Sequence, residues 1–186
     1  MINNHKFYKK SIKKYGISAQ GVHWNNKYTQ YKRFQIITQC IDNIRSSTIV
    51  DAGCGFGEYY KYLQNNNKLP SSYIGVDIES MMIDVASKRF KDVSFYKTDI
   101  LKDKLIIADY YICSGSMNIL NKTDVFRFIQ RSFEVSQKGF IFNFLTKYSF
   151  NKLSLDEVKD FCTTLSSKIK IKSNYLDNDI TIALLK

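Results

Sequence analysis

Residues 50–57 read VDAGCGFG, and they follow Ser47, Thr48 and Ile49 without a spacer. A short β-branched run bounded by glycines is the pattern of a buried strand. Gly53, Gly55 and Gly57 come directly after it and ahead of a helical stretch, the setting in which backbone approaches a ligand closely. Their spacing is GxGxG, not the GxGxxG of dinucleotide-binding folds, and the acidic Asp51 stands just ahead. A carboxylate there suits a ligand bearing an ammonium and a sulfonium better than one bearing a pyrophosphate. The same glycines also suit a plain tight turn, and Cys54 between them also suits a small core position.

Outward from this loop, short apolar runs alternate with helical stretches, the signature of βα units on a mostly parallel sheet. The expected strands are STIVDA, SYIGVDI, VSFYKTD, DYYICSG, KGFIFNFL, KIKIKSNYL and DITIALLK. Helices are expected to begin near Glu58, Ser80, Thr123 and Leu155, with Ser80 and Thr123 as N-caps because a hydroxyl can accept from the free amides of a first turn. Upstream, YKRFQIITQCIDNIR repeats Phe34, Ile37, Ile41 and Ile44 at helical spacing and reads as an amphipathic helix on the core. Only a few residues, Asp177 and Asn178 among them, join the last two strands. That is too short for a parallel crossover, so they form an antiparallel hairpin at one edge. The expected fold is α/β: a doubly wound, mostly parallel seven-stranded sheet with an antiparallel C-terminal hairpin and helices on both faces.

At 186 residues and 44% hydrophobic, the chain suits one core and one domain. Residues 1–45 are read as a basic arm and helix acting as a lid, and residues 46–186 as the core. The formal charge of +11 is concentrated at the front, where residues 1–41 hold eight Lys/Arg and no Asp or Glu. Such a balance raises the question of an anionic partner. The excess of lysine over arginine, with abundant Asn, Ile, Tyr and Phe, is also what an A/T-rich coding sequence produces. No apolar run is long enough to span a membrane, so the expected location is the cytoplasm. Cys40, Cys54, Cys113 and Cys162 lie far apart with no CxxC pair. They are read as reduced, partly buried thiols, with no metal site.

Two more carboxylates fall at strand ends. Asp77 closes SYIGVDI, placed to accept from both hydroxyls of a ribose. Asp99 in YKTDI follows the third strand, where it can receive an adenine amino group while Ile78 and Ile100 sandwich the ring. Asp99 also suits a plain helix cap.

The order of these segments resembles the class I, seven-stranded, Rossmann-like methyltransferases from Ser47 to Lys186. VDAGCGFG is similar to their motif I, GVDI to motif II, KTDI to motif III, DYYICSGSMNI to motif IV and GFIFNFL to motif V. The resemblance implies S-adenosylmethionine as cofactor and S-adenosylhomocysteine as product. Asp51, Gly53, Cys54 and Gly55 would then line the methionine part, Asp77 the ribose, and Asp99 with Ile100 the adenine, with Ser114 also against the cofactor. A looser resemblance, carried by YGISAQGVHWNNKYTQYKRF and the FNFL strand, is to small bacterial methyltransferases of unassigned substrate.

The reaction implied is an in-line displacement at a sulfonium methyl, which alignment and desolvation can drive without an obligatory base. Cys113, Ser114, Gly115, Ser116 and Asn118 form the fourth-strand loop that an acceptor approaches, and Asn143 and Tyr148 follow the fifth strand. Each either orients an acceptor or is ordinary packing polarity. Pro70 is the only proline, so the (D/N)PPY segment that holds an amino nitrogen and the Pro-Cys pair of cytosine C5 enzymes are both absent. From the arm, Arg33 is a candidate fork for the cofactor carboxylate, with Gln30 on the same helical face, or both are solvated surface groups. His23 is the candidate general base or a structural histidine. Trp24 and Tyr28 cover a substrate or plug the core.

Three functions follow from this reading. The first is methyl transfer to a small-molecule acceptor at oxygen or another non-nucleobase atom, with the basic arm attracting a carboxylate or phosphate on it. The second is an RNA methyltransferase using Lys9, Lys10, Lys13 and Lys14 on phosphates and Tyr8 or Tyr15 for stacking. The third is a cofactor-binding protein without turnover.

Overall fold

A computed structural model describes residues 27–146 and 149–186. Its strands are β1 (Thr48–Ala52), β2 (Ser72–Asp77), β3 (Ser94–Lys97), β4 (Ala108–Ser114), β5 (Ser136–Leu145), β6 (Lys168–Lys172) and β7 (Asp179–Leu185). They form one seven-stranded sheet in the order β3-β2-β1-β4-β5-β7-β6. β1 to β5 pair in parallel, and β7 lies antiparallel between β5 and β6. The helices are α1 (Lys27–Gln39), α2 (Glu58–Asn65), α3 (Ser80–Arg89), α4 (Lys122–Val135) and α5 (Leu155–Leu165). This is the expected doubly wound α/β fold with its C-terminal hairpin.

Side chains alternate across each strand, and that alternation divides the core into two layers. On one face Phe34, Ile37, Tyr59, Leu63 and Ala86 from α1, α2 and α3 pack against Ile49, Tyr110, Ile112 and Ile141. On the other, Val125, Ile129, Phe133, Val158 and Cys162 from α4 and α5 pack against Val50, Tyr111, Phe140, Phe142 and Ile182. The central strands are apolar on both faces because both are covered. All four cysteines are free and buried. No described helix is long and apolar enough to cross a membrane.

Several boundaries differ from expectation. The amphipathic helix starts earlier, at Lys27, and stops at Gln39, since Asn43 takes a left-handed φ of 50° and a 3-10 turn (Ile44–Ser46) follows. Ile41 stays buried all the same. The cap of α3 is Glu79, with Ser80 its first helical residue. The cap of α4 is Asn121 in place of Thr123; its side chain accepts from the Asp124 amide at 2.9 Å. The start at Leu155 stands, fixed by Ser154 and Glu157 in a capping box. Strand β6 ends at Lys172, before the left-handed Asn174.

Helix α1 is pinned to the sheet by a buried ion pair. Arg33 donates through Nε to Asp179 Oδ1 and through Nη2 to Oδ2, the latter at 2.7 Å. Asn143 Nδ2 adds a third donor to Asp179 Oδ1 at 3.2 Å. Removing one partner strands the other charge in the interior. Asp179→Ala is therefore expected to lower the unfolding free energy by about 3–5 kcal/mol, read from urea denaturation.

Candidate cofactor and active site

A cleft opens at the carboxyl ends of β1, β2 and β4, where the chain leaves β1 toward β2 on one side and later returns to β4 on the other. In open parallel sheets such a reversal of strand order leaves a crevice for a ligand. The glycine loop forms its floor, and Gln30 and Phe34 of α1 form one wall.

The loop is held from behind by main-chain bonds. The amides of Gly53 and Cys54 both donate to the Val76 carbonyl, at 2.8 and 3.0 Å, and Gly57 N donates to Cys54 O at 3.0 Å. Arg89, in the last turn of α3, donates to the Phe56 carbonyl at 2.6 Å and pairs with Glu58. Gly53 has φ +83°, and a Cβ there would lie 2.3 Å from the Ser116 hydroxyl, so only glycine fits. Ser116 closes over the loop because Gly115 turns with φ 84° after β4.

Four carboxylates line the cleft: Glu58, which is paired with Arg89, and Asp51, Asp77 and Asp99. Asp51 is buried at the end of β1 and accepts from the Tyr73 phenol at 2.5 Å. Burial pushes its pKa up to about 7, with the Tyr73 bond opposing and the nearby Asp77 charge adding. Asp77 accepts from Gly55 N at 3.0 Å through Oδ2 and from Glu79 N at 2.9 Å through Oδ1. Burial raises it to about 6, against the pull of those two amides. Among the described residues neither forms an ion pair. Buried acid without a cation is the property expected of a site that receives one. Asp99 accepts from Leu101 N at 2.9 Å and faces Lys102 at 3.4 Å, so it caps the following turn and lines the cleft at once.

The other sequence-derived candidates divide. Gln30, Gly53, Cys54, Gly55, Ile78, Ile100 and Ser114 all line the same cleft. Ile78 is 44% exposed and Ile100 is buried. The Ser114 hydroxyl is buried with no hydrogen-bond partner among the described residues. Arg33, by contrast, is not among the lining residues, and it is not solvated surface either. Its fork meets Asp179, because a buried guanidinium needs a carboxylate close by. Asn143 is fully buried against that same pair and does not reach the cleft. Asn118 is spent on structure: its side chain accepts from Leu145 N at 3.2 Å and its carbonyl from Phe150 N at 2.9 Å. Tyr28 is 71% exposed on α1, away from the lining. His23, Trp24, Tyr148 and the lysines of the arm lie outside the described residues.

Sequence reasoning did not single out Phe34, Leu120 and Phe128 as cleft residues. Apolar walls use the same residue types as the core, so no local signal separates them. Tyr73 was read only as a strand residue, although period two puts it on the face of Asp77.

Residues 49–139 match the family model of a methyltransferase domain. Among solved structures, the magnesium protoporphyrin IX methyltransferase of Synechocystis with bound S-adenosylhomocysteine superposes with TM-score 0.70 at 13% identity, over 99% of this chain and 95% of that one. The same enzyme has also been solved with S-adenosylmethionine bound. An S-adenosylmethionine-dependent methyltransferase from Clostridium acetobutylicum gives 0.67 at 14% identity, over 97% and 98%. One from Mesorhizobium loti gives 0.64 at 13%, over 83% and 98%. At such identities the likeness speaks for the fold. No curated protein matches the sequence.

The raised carboxyls carry a pH signature. Asp51 and Asp77 hold protons in the folded state that an ordinary carboxyl of pKa 3.8 has already lost when unfolded. Their contribution to stability is therefore full below about pH 4 and is lost as pH rises through about 6 to 7, at about 1.4 kcal/mol for each unit of displacement. The urea midpoint of the ligand-free protein is expected to fall between about pH 5 and pH 7.5, and Asp51→Asn to flatten that fall.

Proposed function

We infer that this chain, a class I S-adenosylmethionine-dependent methyltransferase by its domain and fold, passes the methyl group to a small-molecule acceptor at oxygen or another non-nucleobase atom. The observation that carries this reading is that Asp51, Asp77 and Asp99 line one cleft together with Ser114.

The residues present fit the cofactor. Asp51, which is buried, and Asp77, which is partly buried, have no cationic partner among the described residues, and the glycine loop leaves no room for a side chain where Ser116 closes. Asp51 attracts the positive methionine end. Asp77 keeps lone pairs for ribose hydroxyls beyond the two it gives to Gly55 and Glu79, since a carboxylate offers about four. Ile78 and Ile100 bracket the adenine, and Asp99 receives its amino group. When bound, the cofactor supplies a methyl group on a cationic sulfur whose charge disappears on transfer.

What the chain itself contributes is alignment and dryness. Phe34, Leu120 and Phe128 exclude water from the cleft. Ser114, whose hydroxyl lacks an internal partner, is the group that orients the acceptor. No side-chain base need act if the nucleophile arrives deprotonated or loses its proton to solvent, and His23 is the candidate if one does.

Radiolabelled cofactor offered to fractionated cell metabolites is expected to label a low-molecular-weight acceptor. Transfer to none of the fractions, despite cofactor binding, would favour a protein that binds without turnover. Asp77→Ala should weaken cofactor binding by about 100-fold by calorimetry, the loss of two charge-assisted bonds of about 1.5 kcal/mol each.

One observation favours a second reading, in which the acceptor is RNA. On edge strand β6, Lys168, Lys170 and Lys172 are exposed on one face, and none of the three forms an ion pair among the described residues. Lys172 is in register with Thr181, Asn143 and Ser114 across the sheet, about 14 Å from Ser114 at three strand spacings. Single-stranded RNA should then bind, with an affinity that falls steeply with salt and drops in a Lys170→Glu/Lys172→Glu variant. No binding at low salt ends this reading.

A further inference from the structure

Tyr73 carries none of the motif resemblance, yet its phenol donates to Asp51, a carboxylate of the cleft. It sits in β2 two residues below Gly75, whose Cα is the register partner of Asp51 in β1. Tyr73, Gly75 and Asp77 share one face of the strand. Glycine at position 75 leaves that face open between them. A Cβ there would meet the Phe95 ring at 2.4 Å and Cys54 Sγ at 3.0 Å, so ring and thiol fill the gap above Tyr73. The phenol reaches past it to Asp51 Oδ2 at 2.5 Å, with both residues buried.

We propose that Tyr73 is a positioning residue for cofactor capture, holding the Asp51 carboxylate in one orientation and in its charged form, with Oδ1 left for the cationic ligand. This rests on the cofactor assignment above.

Among the described residues, the surroundings of Asp51 leave that task to Tyr73. Asp77 from β2 is acidic and opposes ionisation. Cys54 from the loop is itself pushed up by burial and stays a neutral thiol. Tyr59 from α2 is bonded to the Thr38 hydroxyl, at 3.0 Å. Cys113 from β4 pairs with Ser116, at 3.0 Å. Among the described residues, Tyr73 is therefore the one hydrogen-bond donor to that side chain. Burial and the adjacent Asp51 charge raise the phenol's own pKa well above normal, so the proton stays on Tyr73 and the bond favours the carboxylate.

Phenylalanine keeps the ring contacts to Tyr60, Tyr59 and Phe95, so Tyr73→Phe isolates the hydroxyl. Titration calorimetry with S-adenosylmethionine and with S-adenosylhomocysteine, at intervals from about pH 6 to pH 9, reads the effect. Wild type should bind more tightly as pH rises and then level off. The Tyr73→Phe curve should be displaced upward by about one pH unit, giving about tenfold weaker binding near neutrality and convergence at the alkaline end. In an Asp51→Asn background the same substitution should change little. Superimposed wild-type and Tyr73→Phe curves, or a loss equal at every pH, overturn the role of Tyr73 alone. Absence of binding by wild type at every pH overturns the cofactor reading and this role with it.

Discussion

The hydrogen bond from the Gly55 amide to Asp77 Oδ2, 3.0 Å long, is the contact through which the rest of the cleft is built. It ties the loop leaving β1 to the end of β2, and the amides of Gly53 and Cys54 reinforce it through the Val76 carbonyl. Those three bonds require backbone close to backbone, which a run of ordinary side chains would hold apart. The positive φ of Gly53 and Gly55 lets the loop turn so that its amides meet the neighbouring strand end, and that of Gly57 closes the turn back on Cys54. Once the loop is seated, Ser116 can close over Gly53 and Arg89 can brace Phe56 from behind.

The same contact explains an apparent extravagance in the electrostatics. Asp77 is half committed to structure, and Asp51 close by is buried with only a phenol for company. Desolvating both carboxylates, Asp51 more fully than Asp77, with no cation beside them among the described residues, weakens the ligand-free fold at neutral pH. On the proposed reading, a cationic methionine end entering beside Asp51 relieves the desolvation that burial imposes there, and that relief adds to its affinity. Stability given up in the empty protein thus reappears as binding energy. A neutral floor would fold more firmly and hold a cation less well.

Much of this was legible because it is local. The β-branched run into GxGxG, the carboxylates ending the next two strands and the short final connection all lie within a few residues of the features they define. The start of α5 near Leu155 was also legible, and the structure fixes it with a capping box of Ser154 and Glu157, which is equally local. Ser80 and Thr123 failed as caps because a hydroxyl is a preference, not a position. Asn121 has the extended backbone a cap requires, and its side chain reaches the Asp124 amide. The contacts that escaped sequence reading span the chain. Arg33 and Asp179 are 146 residues apart, and nothing near either announces the other. Tyr73 is subtler: its face could be derived from period two, but the need for a donor at Asp51 appears only once β1 and β2 are paired.

The C-terminal hairpin is what anchors α1. Had β7 run parallel to its neighbours, its first residue would have arrived at the edge of the sheet opposite the cleft. Because it runs antiparallel, Asp179 lands beside Leu145, at the carboxyl end of β5 and level with the functional edge. A carboxylate delivered there can reach Arg33 on α1, and Asn143 from β5 steadies it. One turn of helix separates Arg33 from Gln30, and Phe34 follows it directly, so fixing the guanidinium also fixes the wall those two residues present to the cleft. The reversed strand, remote from the cofactor loop in sequence and separated from it by two intervening strands, is thereby what sets the position of the helix facing that loop.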